Sequence, residues 1–284
     1  MYYPAAMVCE GGALLGVYTA GVLDVLMQKH IYTTYGIGVS VGSCNIVDYS
    51  SSQIGRTFKC LNTSDEETIF FGKPAIRRTG HFYDLEMCMQ GFADRYVPFY
   101  YNDFAASPMK TECVATDIET GKPRYIECRA ENHQVMDACR ASASMPFLCP
   151  PYELDGHKYL DGSVSKSIPI QRAMSYGTDK IVVITTKPAG YRMKPPTPSY
   201  RTAARLRYGK HPALVNAMLN RWRVYNDDLA YIETLADAGK IFLFRPTWTV
   251  RHLEKDHEKM QASYEEGRRQ AEERASALVR YLKK

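Results

Sequence analysis

The sequence predicts an α/β protein built on a parallel sheet, and three stretches carry that expectation. The apolar run Ala5 to Cys9 ends at Glu10-Gly11-Gly12, as a buried strand does when it opens into a glycine turn. A second strand-like run, Ile31 to Val39, delivers the chain to Gly38-Val39-Ser40-Val41-Gly42, a G-x-S-x-G pentapeptide. A third, Lys180 to Thr185, is a continuous apolar stretch of the sort buried on both faces of a sheet. Between the first two, Leu14, Val17, Tyr18, Gly21, Val22, Val25 and Leu26 recur at helical spacing. The order strand, turn, helix, strand, elbow, helix is the opening of a parallel sheet with right-handed crossovers.

The remaining elements follow in order. Val41 to Gln53 continues from the elbow as a helix. Leu61 to Lys110 is rich in Phe, Tyr and Met with no clean period of either kind. It reads equally as an adaptable apolar wall or lid over Ser40 and as ordinary core beneath irregular loops. Thr111 to Ile118 and Arg124 to Cys128 make a hairpin, and Val135 to Ser144 is a short helix stopped by Pro146. Pro151 to Leu154 and His157 to Leu160 form a second hairpin around the Asp155-Gly156 turn, ending at Asp161-Gly162. Ile168 to Tyr176 is a helix, Lys187 to Pro198 a loop, Leu214 to Leu235 a helix, Lys240 to Phe244 a last strand and Glu254 to Lys284 a long helix. That last helix is expected to be structural, packing through Tyr264, Leu278, Val279 and Leu282.

A chain of 284 residues can bury one large core, or one core with a small appendage. The hydrophobic fraction of 45% and charged fraction of 24% are those of an ordinary globular protein. The net charge of +5 is mild and comes without a zinc-finger or homeodomain signature, so no nucleic-acid partner is expected. The eight cysteines contain no C-x-x-C pair and read as small buried residues of a reducing compartment. The run Ala13 to Met27 is short for a membrane span, Asp24 interrupts it, and Glu10 stands where a signal peptide would carry Lys or Arg. The expected location is the cytoplasm.

Ser40 needs a base to remove its proton. His157 lies mid-hairpin, and His211, His252 and His257 follow in basic or highly charged surroundings. His30, His81 and His133 have no strand-end setting, so a conventional Ser-His-Asp triad is disfavoured. Asp161 ends a strand, with Gly162 letting the chain turn away, and a carboxylate there could act directly on Ser40 as general base. Asp117 is a second candidate, for which a turn role beside Thr120-Gly121 is sufficient. Gly11, Gly12 and Ala13 can present backbone N–H groups to an oxyanion together with the N–H of Val41. Neither a P-loop nor a dinucleotide-binding fingerprint occurs at this glycine turn.

From Lys180 to Asn226 there is no acidic residue, while Lys187, Arg192, Arg201, Arg205, Arg207, Arg221 and Arg223 alternate with Tyr191, Tyr200, Tyr208 and Trp222. Such a stretch reads as a solvated basic face or as a surface for anionic lipid head groups.

Three separated elements, Gly11-Gly12-Ala13-Leu14-Leu15-Gly16, Gly38-Val39-Ser40-Val41-Gly42 and Asp161-Gly162-Ser163, resemble in order and spacing the marks of the patatin-like phospholipases. Further likeness to a bacterial branch of that family lies in Tyr18 to Asp24, Ala141 to Pro146 and Tyr225 to Pro246. The resemblance implies a three-layer α/β/α sandwich and a Ser-Asp dyad that cleaves acyl esters of lipids without metal or cofactor. Carried over by position, Ser40 is the nucleophile, Asp161 the base, and Gly11, Gly12 and Ala13 the hole. Two residues depart from the usual Gly-Gly-Gly-x-Arg-Gly loop: Ala13 replaces the third glycine and Leu15 the arginine. The expected organisation is a catalytic core over 1–186 with a variable excursion at 61–110, and a mainly helical extension over 187–284 packed on the core. The expected activity is serine lipid acyl hydrolysis of the phospholipase A or lysophospholipase type. Phospholipid, lysophospholipid or another acyl ester is then the substrate, with peripheral contact to an anionic membrane. The alternatives are a patatin-fold lipid-binding or scaffold protein with weak or no turnover, and a Ser-His-Asp esterase.

Overall fold

In the computed structural model, which describes residues 1–131 and 134–284, eight strands form one mixed sheet between two layers of helices. His133 lies outside the described residues. Strands β1 (Tyr2–Cys9), β2 (Tyr32–Val39), β3 (Lys110–Asp117), β7 (Lys180–Ile184) and β8 (Phe242–Phe244) run parallel to their neighbours in the order β3-β2-β1-β7-β8. Strands β4 (Pro123–Glu127), β5 (Tyr152–Leu154) and β6 (His157–Asp161) join by antiparallel pairing, β4 and β6 on β3 and β5 on β6. The sheet is therefore mostly parallel, as the alternation of strand and helix patterns in the sequence implies.

Alternate residues of each strand face opposite layers. Met7 and Cys9 of β1 pack with Val22, Leu26, Ile46 and Leu278 on one side. That layer is built by α1 (Gly16–Gln28), α2 (Val41–Ser50), α6 (Gln134–Ala143) and α10 (His257–Lys283). Ala6 and Val8 pack with Ile37, Ile168, Leu229 and Ile232 on the other, beneath α7 (Ile170–Ser175) and α9 (Pro212–Asp237). Gly36 and Gly38 leave room for α2 on β2, since a Cβ at Gly36 would stand 2.6 Å from Ile46 Cγ1.

Two segments differ from the sequence reading. After α3 (Arg56–Leu61), the aromatic excursion contains α4 (Lys73–Thr79), a π-helix (Met87–Tyr96) and α5 (Tyr101–Ala106). The wider turn of a π-helix spreads its buried residues Met89, Phe92 and Ala93 away from ordinary helical spacing, which explains the missing period. The basic stretch contains α8 (Pro198–Tyr208), for which the sequence reading has no element. Its start follows ordinary rules: Thr197 caps the Tyr200 N–H at 3.3 Å and Pro198 opens the helix.

The C-terminal helix α10 closes the structure by lying along α1. Gly21 and Gly267 set the spacing reciprocally: a Cβ at Gly21 would stand 2.1 Å from the Tyr264 carbonyl oxygen, and one at Gly267 would stand 2.2 Å from that of Tyr18. Each glycine costs a helix interior about 1 kcal/mol relative to Ala, and the close backbone approach offsets that cost. Side-chain bonds complete the seam, Tyr264 donating to Asp24 at 2.6 Å and Tyr18 to Gln270 at 2.9 Å. Tyr264, Leu278 and Leu282 are buried as expected for a structural helix, with Val279 partly so. Gly267→Ala should lower unfolding free energy by about 2 kcal/mol or more, because neither backbone can yield without opening the seam. Urea denaturation measures this, and a variant as stable as the parent would contradict the close approach.

Candidate active site

Ser40 stands alone between the last residue of β2 and the first of α2, at φ 55 and ψ −123. A non-glycine residue in this region is strained, and the surroundings hold it there. Gly38 and Gly42 make the turn possible by proximity. A Cβ at Gly38 would come 2.2 Å from the Gly42 carbonyl oxygen, and one at Gly42 would come 2.4 Å from that of Cys9. Gly16 has the same role on the opposite side, where a Cβ would meet Val41 Cγ2 at 2.4 Å. Ser142, near the end of α6, locks the elbow. Its hydroxyl accepts from the Ser40 N–H at 2.8 Å and donates to the Val114 carbonyl at 2.5 Å, and the Ser43 hydroxyl bonds it at 2.8 Å. In the sequence, Ala141 to Ser144 shows only as a run of small residues at the end of a helix. A buried serine between a strand and a helix is not distinguishable, in sequence, from a packing residue.

Asp161 reaches the same point from the opposite direction. In register, Val39 of β2 pairs with Val114 of β3, and Asp161 of β6 pairs with the next residue, Ala115. Strand β4 occupies the other edge of β3 over Glu112 to Thr116, so β2 and β6 share one edge and meet end to end. The expectation that Asp161 sits at the carboxyl end of a strand is met, but β6 is antiparallel to β3. Its end comes level with Ser40 because the strand is short and stops there. Gly162 permits the stop, since a Cβ there would lie 2.0 Å from the Val114 carbonyl oxygen. The Asp161 side chain is buried, its Oδ1 accepts from the Ser163 N–H at 2.8 Å, and its own N–H donates to the Ser144 carbonyl at 2.8 Å. Oδ2 accepts from no described residue. Burial first, and Asp161 among nearby charges, pushes the Cys149 thiol up to about 12.

The glycine loop borders the elbow. A Cβ at Gly11 would stand 2.9 Å from the Val39 carbonyl oxygen and 3.2 Å from Ser40 Cβ. The Gly11 carbonyl accepts from Thr186 Oγ1 at 3.0 Å. Buried Glu10 anchors the loop base, accepting from the Thr186 N–H at 2.6 Å and the Tyr225 hydroxyl at 2.7 Å, and burial holds its carboxyl above the usual range. The N–H groups of Gly11, Gly12, Ala13 and Val41 donate to no acceptor among the described residues. Ala13 lies at φ 51, in the left-handed region, so the alanine carries a strain that a glycine would not. Leu15 is buried among Val17, Phe70 and Phe92.

A narrow cavity of about 50 Å³ adjoins Ser40, lined by Ala13, Leu14, Phe70, Tyr83, Met89 and Met145 among others. A larger one, about 590 Å³, shares Tyr83 and Leu85 but does not include Ser40, and carries Asp84, Glu86, Arg95 and Arg140. Phe70, Tyr83 and Leu85 of one core cluster and Met89 of another thus both fill the interior and wall the serine, so core and wall are one arrangement. Three histidines lie beside other groups: His211 Nδ1 is 3.2 Å from Glu119, His257 Nδ1 2.8 Å from Asn62 and His157 Nδ1 3.6 Å from Asp117, while the His252 backbone carbonyl accepts from the Leu14 N–H at 3.4 Å. Asp117 Oδ1 accepts from the N–H groups of Glu119 and Thr120 at 3.0 and 2.8 Å, a turn role.

Comparison with known proteins finds two family models. The patatin-like phospholipase model matches residues 7–174, and a domain of unknown function (DUF6363) matches residues 211–283. Among curated proteins, the "Uncharacterized protein YjjU" of Escherichia coli (strain K12) is 28% identical over 257 residues, covering 85% of this chain and 68% of that protein. Among solved structures, VipD from Legionella pneumophila overlaps 99% of this chain and 67% of its own at 10% identity, with a TM-score of 0.42.

Two substitutions test the geometry. Ala13→Gly should raise unfolding free energy by about 1 kcal/mol by relieving the left-handed alanine, read by urea denaturation. No gain would mean the loop relaxes out of that region. Ser142→Ala removes an acceptor from the Ser40 N–H and should cost about 1–3 kcal/mol. The same titration measures it, and an unchanged midpoint would show that the elbow does not depend on this hydroxyl.

Proposed function

The chain belongs to the patatin-like phospholipase family, and from that premise we propose that it is a serine lipid acyl hydrolase with Ser40 as nucleophile and Asp161 as general base. The observation that carries the proposal is the end-to-end meeting of β2 and β6 on one edge of β3, which brings a strained serine and a buried carboxylate to one point. As Ser40 Oγ bonds to the ester carbonyl carbon, its proton passes to Asp161 Oδ2. The carbonyl oxygen becomes an oxyanion received by the N–H groups of Gly11, Gly12, Ala13 and Val41, which have no other acceptor to give up among the described residues. Collapse breaks the bond to the leaving alcohol, which takes the proton from Asp161. Water, giving a proton to the same carboxylate, then attacks the acyl-enzyme, releases the fatty acid and returns Ser40 to its hydroxyl form. Three of the histidines favour a carboxylate base over a Ser-His-Asp arrangement, since His257 bonds Asn62 and His211 and His157 lie beside Glu119 and Asp117, while His252 meets the glycine loop through its backbone carbonyl.

The substrate of this reading is a phospholipid, lysophospholipid or other acyl ester. The apolar lining around Ser40 suits the acyl part, and Arg201, Arg205, Leu206 and Arg207 form an exposed basic face of α8 suited to an anionic bilayer in the cytoplasm. No helix among the described residues is long and apolar enough to cross a membrane. The division into a core over 1–186 and an extension over 187–284 belongs to the same proposal, with β8 and α10 of the extension docking on the sheet edge and on α1.

Hydrolysis of a lipid panel by the parent protein, Ser40→Ala and Asp161→Asn tests the dyad. Both variants should lose about 10³-fold or more in kcat, and full activity in either sinks it. A lipid-binding protein without turnover is the second reading, favoured by the strain at Ala13 in the loop. Labelling by a fluorophosphonate separates the two: modification at Ser40 supports the hydrolase, and liposome binding without modification supports the scaffold.

A further inference from the structure

We propose that Lys187 and Arg221 form an anion site on the flank of the glycine loop, and that its ligand is the phosphate of a phospholipid head group; the lipid assignment rests on the acyl-hydrolase reading above.

The two cations are positioned by bonds that run through the loop itself. Lys187 follows Thr186, whose N–H is held by Glu10 and whose hydroxyl is held by Gly11, the residue packed on Ser40. Its Nζ lies 5.2 Å over the ring of Tyr191, which makes an edge contact with Tyr225 at 6.0 Å. Arg221 stands one helical turn before Tyr225 on α9, on the same face, and the Tyr225 hydroxyl ends on Glu10. Two elements distant in sequence therefore bring a lysine and an arginine to one corner beside the loop.

That corner has more positive charge than its own residues neutralise. Glu10 is its carboxylate, and both of its oxygens are already engaged by neutral donors, the Thr186 N–H and the Tyr225 hydroxyl. Among the described residues, neither Lys187 nor Arg221 makes an ion pair, whereas Arg192 and Arg245 of the same region share Glu233. The Arg221 Nε is buried without an acceptor. Burial holds the Lys187 ammonium below its usual range, opposed by the attraction of Glu10 and aided, to a smaller extent, by the charge of Arg221. His252 borders the cluster, and its backbone carbonyl accepts from the Leu14 N–H at 3.4 Å. Desolvation, followed by Lys187 and Arg221, pushes its imidazole down to about 4, so at neutral pH it adds polar atoms but no charge. The loop from Gly11 to Gly16 has no charged side chain of its own.

An arginine fork beside a lysine point charge matches the several oxygens of a phosphate better than the two of a carboxylate. A phosphate held past the end of β7 lies two strand spacings, about 10 Å, across the sheet from the end of β2 at Ser40, the distance scale of a head group joined to a scissile ester through glycerol. A free phosphorylated small molecule presents the same chemistry, and the experiment separates the two sources.

Arg221→Ala, Arg221→Lys and Lys187→Met are compared with the parent on a phosphatidyl ester and on an uncharged ester of the same acyl chain, both in neutral detergent micelles. Loss of one charge-assisted contact should lower kcat/KM on the phosphatidyl ester about ten-fold or more in Arg221→Ala and Lys187→Met, with partial recovery in Arg221→Lys. The uncharged ester should change less than about two-fold, the scale of an indirect effect. Equal falls on both esters, or no fall on the phosphatidyl ester, overturn the proposal. If the parent hydrolyses neither ester, the acyl-hydrolase reading fails and calorimetry judges the anion site by itself. Glycerol phosphate binding that weakens in Arg221→Ala supports the site, and no binding to the parent overturns it. Inorganic phosphate binding as tightly as glycerol phosphate, without discrimination between the esters, overturns the head-group assignment.

Discussion

The constraint on which the site depends is the sharing of one edge of β3 by two strands that arrive from opposite directions. Val39 pairs with Val114 and Asp161 with Ala115, so the parallel strand and the antiparallel one end facing each other. Neither can continue, because each would run into the other. The chain after Val39 must leave sharply into α2, and the chain after Asp161 must leave through Gly162, pressed against the Val114 carbonyl. That carbonyl is met by the Ser142 hydroxyl, which also takes the Ser40 N–H. One buried hydroxyl thereby satisfies the backbone groups that the collision leaves open, as burial requires.

The glycine loop is held by a second set of buried polar bonds that connects it to the far end of the chain. Glu10 receives the Thr186 N–H from the end of β7 and the Tyr225 hydroxyl from α9, while the Leu14 N–H reaches the His252 carbonyl. The residues after 187 therefore contribute to the loop's shape as well as to the surface. They also complete the sheet through β8 and cover α1 with α10 at a distance that Gly21 and Gly267 alone allow. A backbone conformation as strained as that of Ser40 persists only where its surroundings over-determine it. Here Gly16, Gly38 and Gly42, Ser142 and the anchored loop supply that surplus of restraint.

The parts of the site that could be read from the residues are those with a local physical signature. Gly38 and Gly42 bracket Ser40 because a side chain at either would strike backbone, and that requirement shows in any strand-to-helix elbow. Asp161-Gly162 was legible as a strand end, although the antiparallel direction of β6 was not, since strand direction leaves no trace in a short apolar run. That Ala13 replaces a glycine is plain in the sequence, but its left-handed φ of 51 is not. The π-helix within the excursion was hidden because its turn does not produce the usual helical period, and α8 because its exposed basic face leaves only Ala204 and Tyr208 buried.

The elbow pentapeptide, the glycine turn, the strand-ending aspartate and the alternation that makes an α/β sheet were determined by the sequence alone, because each depends on backbone sterics or hydrophobic period within a few residues. The partnership of Ser40 with Ser142, of Glu10 with Tyr225, and the convergence of Lys187 with Arg221 were decided only by the tertiary structure. These pairs lie 102, 215 and 34 residues apart. A hydrogen bond or a shared corner between such residues is a property of the layers' packing, and no local pattern in a single chain encodes it.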